Sequence, residues 1–198
     1  MILMLNCSFK VKDSNTQFFL ELLQKELGSE EIRIIPIRQL LNGGFSEFVE
    51  KLQRSEAFVI GAPLYVDGLP AQAVRLLEML LEGEYPGLSG KRVYVVSNLG
   101  FYEGEQICNL FDIVRNWCDR MQMIYGGGLA VGAGPLIRAL KSMPLVNRDI
   151  GKGLEQLAGS IRKGSVMENY YTKTMIPRGV YLLAAHTLFR KTLKENGQ

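Results

Sequence analysis

Apolar residues recur along this chain in two alternating rhythms. Met1–Asn6 carries the unbroken run Ile2-Leu3-Met4-Leu5, which suits a strand buried on both faces. After a loop at Cys7–Ser14, Asn15–Leu27 sets Phe18, Phe19, Leu22, Leu23 and Leu27 at helical spacing, with Gly28 as the stop. Glu31–Arg38 returns to a strand pattern on Ile32, Ile34, Ile35 and Ile37. Ser46–Arg54 predicts a short amphipathic helix, Ala57–Gly61 a third strand and Leu69–Leu81 a helix. Arg92–Ser97 predicts a fourth strand and Glu105–Met121 a helix on Ile107, Leu110, Phe111, Val114 and Cys118. Met123–Val131, diluted by Gly126, Gly127 and Gly128, predicts a fifth strand, and Val146–Lys163 a fifth helix.

Five strand–helix alternations predict an α/β fold: a parallel sheet with helices on both faces. In open sheets of this kind ligands lie beyond the carboxyl ends of the strands, where the strand order reverses. The loops after strands one, three and four are therefore the places to look for chemistry. Two segments exceed what the units need. Residues 132–146, with Gly132, Gly134, Pro135 and Pro144 around a short Ile137–Leu140 piece, predict a rim or lid at the same sheet end. After Lys163, Val180–Lys194 predicts an amphipathic helix with Val180, Leu183, Ala184 and Leu188 on one side. It would pack on its own domain, on a partner subunit or on a membrane surface, in that order of preference. The domain reading is 1–164 plus a helical extension at 165–198.

Composition narrows the class. The chain has 198 residues and 47% hydrophobic content, enough for a sizeable core. Its net charge of +3 is too small to argue for nucleic acid, and it speaks against a dedicated electron carrier with an acidic docking face. Three cysteines, Cys7, Cys108 and Cys118, without a CxxC pair give no disulfide framework and no zinc site, and they favour a reducing, cytoplasmic setting. Val180–Phe189 is half the length of a membrane span, so none is expected.

The loop after strand one, Asn6 to Thr16, is rich in hydroxyls, holds Lys10 and Lys12, and opens into a helix. A helix start offers free amides and a positive dipole end, which suit a phosphate; equally, Ser14 or Asn15 can simply cap the helix. No GxGxxG or GxxxxGK[ST] follows this strand, which disfavours dinucleotide and P-loop cradles. The loop after strand three, Ala62 to Pro70, puts Tyr65 where a planar ligand could lie against it. The loop after strand four offers Asn98, the flexible Gly100, and Phe101 and Tyr102 as a wall.

Together these loops resemble the flavodoxin-like NAD(P)H-dependent FMN reductase and quinone reductase family, over about residues 1–130. Ser8, Lys10, Ser14, Asn15 and Thr16 match that family's phosphate loop. Pro63, Leu64, Tyr65, Val66, Gly68 and Pro70 match its Pro-x-Tyr segment beside the isoalloxazine. Asn98, Gly100, Phe101 and Tyr102 match the glycine-bearing loop at the pyrimidine edge. Cys7 departs from the family's glycine, and Lys10 from its usual arginine; lysine is a point charge without the planar fork. The resemblance implies strand order 2-1-3-4-5, FMN as cofactor, NAD(P)H as co-substrate, and a quinone, flavin or other small molecule as electron acceptor. A homodimer across the flavin is also expected, because the loops carry exposed aromatics. The flavin would do the chemistry, so no catalytic side chain is assigned. The rival functions are an electron carrier without turnover and a cofactor-free binding module on the same fold. Of the remaining residues, His186 reads as structural or surface, Cys7 as a small buried filler, Cys108 and Cys118 as core, and Trp117 as packing.

Overall fold

The computed structural model describes residues 1–10, 12–28, 31–174 and 176–195; the side chains at 144–147, 188–189 and 191–195 lie outside that description. Along the chain run β1 (Ile2–Asn6), α1 (Asn15–Leu27), β2 (Ile32–Pro36), the single turn α2 (Ile37–Gln39) and α3 (Phe45–Arg54). Then come β3 (Ala57–Pro63), α4 (Ala71–Glu82), β4 (Arg92–Asn98), α5 (Cys108–Arg120) and β5 (Ile124–Val131). The chain closes with α6 (Gly134–Ala139), α7 (Pro144–Lys163), β6 (Tyr170–Tyr171) and α8 (Arg178–Glu195).

The sheet is parallel throughout, in the order β2-β1-β3-β4-β5-β6. The expected order 2-1-3-4-5 is present, but the sheet has six strands rather than five. The extra strand pairs Tyr170 with Leu129 and Tyr171 with Ala130. Two tyrosines among polar neighbours carry no periodicity, so β6 leaves no mark in the apolar pattern. Strands β3 and β4 also run further than their apolar residues suggest, because Ala62 pairs with Ser97 and Pro63 with Asn98. At the sheet edge β2 stops early, at Pro36 opposite Asn6, and Ile37 already begins a helical turn. Asn6, Pro36, Pro63, Asn98 and Val131 therefore end their strands at one edge of the sheet.

Each face of the sheet buries its own apolar layer. On one face Phe48, Leu52, Leu76, Leu80, Phe111 and Val114 of α3, α4 and α5 cover Leu3, Leu5, Phe58, Ile60 and Val95. On the other, Phe19, Leu20, Leu23, Leu157 and Ile161 of α1 and α7 cover Met4, Val59, Val96 and Leu129. Each such side chain contributes about 1.5–3 kcal/mol on burial. Trp117 belongs to the first layer, its indole N–H donating to Leu77 O at 3.1 Å. Cys7 and Cys118 are buried, and burial raises both thiol pKa values, that of Cys118 to about 12. Cys108 is exposed rather than core: it starts α5, whose buried face is Leu110, Phe111, Val114, Trp117 and Cys118.

Glycines in the strands mark close approach. A Cβ on Gly128 would meet the Phe111 ring at 2.6 Å and one on Gly126 the Tyr94 ring at 2.5 Å, so the glycines that dilute β5 make room for two aromatics. On β3, a Cβ on Gly61 would meet Leu20 at 2.6 Å. That bare spot lets α1 lie close to the sheet at Leu20. We expect Gly61→Val to cost about 1–3 kcal/mol through overpacking, read as a lower urea midpoint. An unchanged midpoint would mean that α1 shifts freely.

Candidate active site

Asn6 ends β1 and organises the loop that follows. Its Oδ1 accepts from Ser8 N at 2.9 Å and its Nδ2 donates to Gln17 Oε1 at 2.8 Å. Ser8 Oγ accepts from Lys10 N at 3.3 Å. Ser14 has extended backbone, and its hydroxyl accepts from Gln17 N at 3.1 Å, the arrangement of an N-cap. The capping role open in the sequence is thus the one Ser14 plays. Asn15 and Thr16 start α1, where backbone amides have no partner inside the helix.

Asn98, at the end of β4, joins three loops. Its Nδ2 donates to Thr16 Oγ1 at 2.9 Å in a buried contact, and its backbone oxygen accepts from Leu64 N at 2.9 Å. With Thr16 Oγ1 occupied as an acceptor, the threonine hydroxyl proton is left to point elsewhere. The loop after β3 turns back on itself: Tyr65 N donates to Gly68 O at 3.0 Å and Gly68 N to Tyr65 O at 3.1 Å. Val66 and Asp67 fill the turn with φ of 47° and 59°, left-handed backbone that a β-branched residue adopts only under strain.

These loops enclose a cleft of about 210 Å³, lined by Ser8, Lys10, Asn15, Thr16, Pro63, Leu64, Tyr65, Asn98, Leu99, Gly100 and Pro135. Nine of the fifteen residues matched to the three loops meet there and six do not line it; one of the six, Pro70, is the buried residue that precedes α4. Ser14 caps α1 and lines the neighbouring cleft. Val66 and Gly68 belong to the turn, with Val66 projecting fully into solvent. Phe101 is exposed. Tyr102 faces the tail: its hydroxyl donates to Ile176 O at 2.7 Å and its ring lies 5.4 Å from that of Tyr181. Leu99 escaped the sequence reading, whereas Pro135 belongs to the 132–146 segment read there as a rim and does line the cleft.

Two flanking segments close the rim. The excursion after β5 becomes α6, and its Arg138 donates to Asp13 O at 2.6 Å and to Asp13 Oδ1 at 2.5 Å, tying the rim to the first loop. Helix α8 reaches the loop after β4 through Tyr181, whose hydroxyl donates to Gly100 O, and through Arg178 at 3.3 Å from Glu103. Burial and then the Glu103 charge raise the Tyr181 pKa. This contact selects Tyr181 as the buried face of α8, with Ala185 packed beside it. Val180 and Leu183, expected on that face, are exposed instead; the expected Leu188 side chain lies outside the described residues.

The donor set fits a phosphorylated planar cofactor. The lining combines the hydroxyls of Ser8 and Thr16, the Lys10 ammonium and the opening of α1 with Pro63, Leu64, Tyr65 and Gly100. Among the described residues no group of His, Cys, Asp and Glu could hold a metal ion, and no helix is long and apolar enough to cross a membrane.

A parallel sheet with such a cleft beyond its central strands defines the flavodoxin-like class. Three solved structures share the fold. The Trp repressor binding protein of Bacillus subtilis has TM-score 0.60 and 15% identity, over 79% of this chain and 97% of that one. The NADPH-quinone reductase of P. pentosaceus has TM-score 0.57 and 17% identity, over 83% and 96%. The two-electron reduced flavodoxin of Megasphaera elsdenii has TM-score 0.53 and 16% identity, over 82% and 99%. No curated protein matches the chain in sequence. The model of the NADPH-dependent FMN reductase family matches residues 1–134, and the chain belongs to that family. It is accordingly an NAD(P)H-dependent flavin oxidoreductase with FMN as cofactor.

Removing the Asn98 amide tests the junction. Asn98→Ala leaves the buried Thr16 hydroxyl without its partner, at a cost of about 1–3 kcal/mol. We expect a lower thermal midpoint together with weaker FMN binding in a fluorescence titration. Loss of stability with FMN affinity intact would place the junction outside cofactor binding.

Proposed function

We propose that the protein passes electrons from NAD(P)H through FMN to a quinone, a flavin or another small acceptor. The observation that carries this reading is the Asn98 junction, which brings a phosphate-suited helix start and an apolar, aromatic wall into one cleft. Bound FMN supplies hydride acceptance and electron release. The chain's own residues bind and orient. Ser8, Lys10, Thr16 and the first amides of α1 hold the phosphate, with Asn15 beside them. Pro63, Leu64 and Tyr65 face the ring system, and Gly100 brings bare backbone to its edge. Tyr181 fixes the Gly100 carbonyl from the tail, so α8 keeps that loop in place.

The acceptor enters from the open side, beside the exposed Tyr65 and Phe101. Val66 and Phe101 on the loops that form the cleft, and Val180 and Leu183 on α8, leave apolar surface exposed. Surface of this kind marks a partner or ligand site, and a second copy of the chain would cover it symmetrically. The working form in this reading is a homodimer across the flavin.

Steady-state oxidation of NADPH by the FMN-loaded protein, with a soluble benzoquinone as acceptor, tests the activity. Turnover supports the reading, whereas flavin that stays oxidised under NADPH contradicts it. Thr16→Glu sets a carboxylate against the phosphate, where like charges a few ångströms apart repel. We expect FMN affinity to fall at least tenfold, by fluorescence titration, and the thermal midpoint to drop with the lost Asn98–Thr16 bond while circular dichroism stays native. Light scattering at micromolar concentration should give twice the chain mass; a fully loaded, active monomer would rule the dimer out.

A further inference from the structure

The flavin cleft does not end at the phosphate loop. Through the shared residues Ser8 and Lys10 it meets a second cleft of about 490 Å³ on the β2 side of the sheet. Of the residues assigned to FMN above, only Ser8 and Lys10 line it. Its walls carry Lys10, Arg38, Arg138 and Lys141 against Asp13 and Glu21, four cations to two carboxylates. Both carboxylates are engaged: Asp13 by Arg138 at 2.5 Å, and Glu21 by Gln17 Nε2 at 3.0 Å.

Arg38 stands apart in this group. It lies on α2, the turn that begins where β2 stops at Pro36. Its Nε is buried and has no hydrogen-bond partner among the described residues, and no carboxylate there forms an ion pair with it. A buried charged donor without an acceptor is costly, and such groups are normally satisfied by a ligand or ordered water. Phe18 and Ile34 also line the cleft, which gives it an apolar strip beside the cations. A phosphate group beside a flat heterocycle matches that combination: the guanidinium pairs with phosphate oxygens, and the ring stacks on the aromatic. The volume is within the range of nucleotide-sized sites.

We propose that this second cleft binds the adenosine diphosphate arm of a dinucleotide, with Arg38 as its phosphate ligand. The inference rests on the flavin reading for the neighbouring cleft and extends it. Two dinucleotides carry that arm: the pyridine nucleotide that donates electrons, and a flavin extended beyond its first phosphate.

Calorimetric titration of the FMN-loaded protein with 2′,5′-ADP reads the site without turnover. We expect binding that Arg38→Gln weakens at least fivefold and Arg38→Lys weakens less. FMN affinity, measured separately by fluorescence, should be unchanged in both variants. Displacement of the adenylate by NADPH assigns the arm to the electron donor. Displacement from flavin-free protein by FAD, and not by NADPH, supports the site and assigns the arm to a flavin dinucleotide. No adenylate binding, or binding indifferent to Arg38→Gln, overturns the proposal. Failure of FMN to bind at all would instead count against the flavin reading, and the adenylate titration still decides the second cleft.

Discussion

One buried amide holds the working end of this protein together. Asn98 closes β4, bonds through its side chain to Thr16 on α1, and receives Leu64 N on its backbone oxygen. Three loops are thereby fixed against each other. A buried amide must satisfy its hydrogen bonds, so this position has few substitutes. The sheet makes the junction possible: parallel register ends β1, β3 and β4 at one edge, and Gly61 lets α1 approach closely enough for Thr16 to reach Asn98.

Around that junction the later parts of the chain act as braces. Arg138 of α6 grips Asp13 in the first loop, and Tyr181 of α8 grips Gly100 in the third. The reciprocal pair of Tyr102 with Ile176 O and Tyr181 with Gly100 O ties the tail to the loop after β4. The strained Val66–Asp67 turn projects beside Tyr65 at the mouth of the cleft. Backbone strain of this sort persists where the surroundings hold it, and it collects at functional sites.

The main elements were legible in the sequence because a parallel sheet buries whole strands, and an apolar run needs no partner to be recognised. The range Asn15–Leu27 for α1 could be read directly, since Ser14 caps it and Gly28 stops it. Legibility fails where tertiary contact outweighs local pattern. Tyr170–Tyr171 is a strand only because β5 lies beside it. The buried side of α8 follows Tyr181 and its bond to Gly100 rather than the aliphatic stripe through Val180 and Leu183. In the cleft, residue types pointed to the loop of Ser8, Lys10 and Thr16 and to Tyr65, whereas Phe101 and Tyr102, read as a wall, do not line it. The link from Asn98 to Thr16 spans 82 positions, and no spacing rule reaches that far. The second cleft was invisible for the same reason: Lys10, Arg38 and Arg138 become neighbours only in the folded chain.

Hydrogen exchange with and without FMN tests most directly whether the loops joined by Asn98 act as one binding site. The account predicts that FMN slows amide exchange together in residues 12–17, 64–68 and 99–101, with the sheet interior unchanged. Protection confined to the opposite end of the sheet, around Arg92 and Gly164, would contradict it.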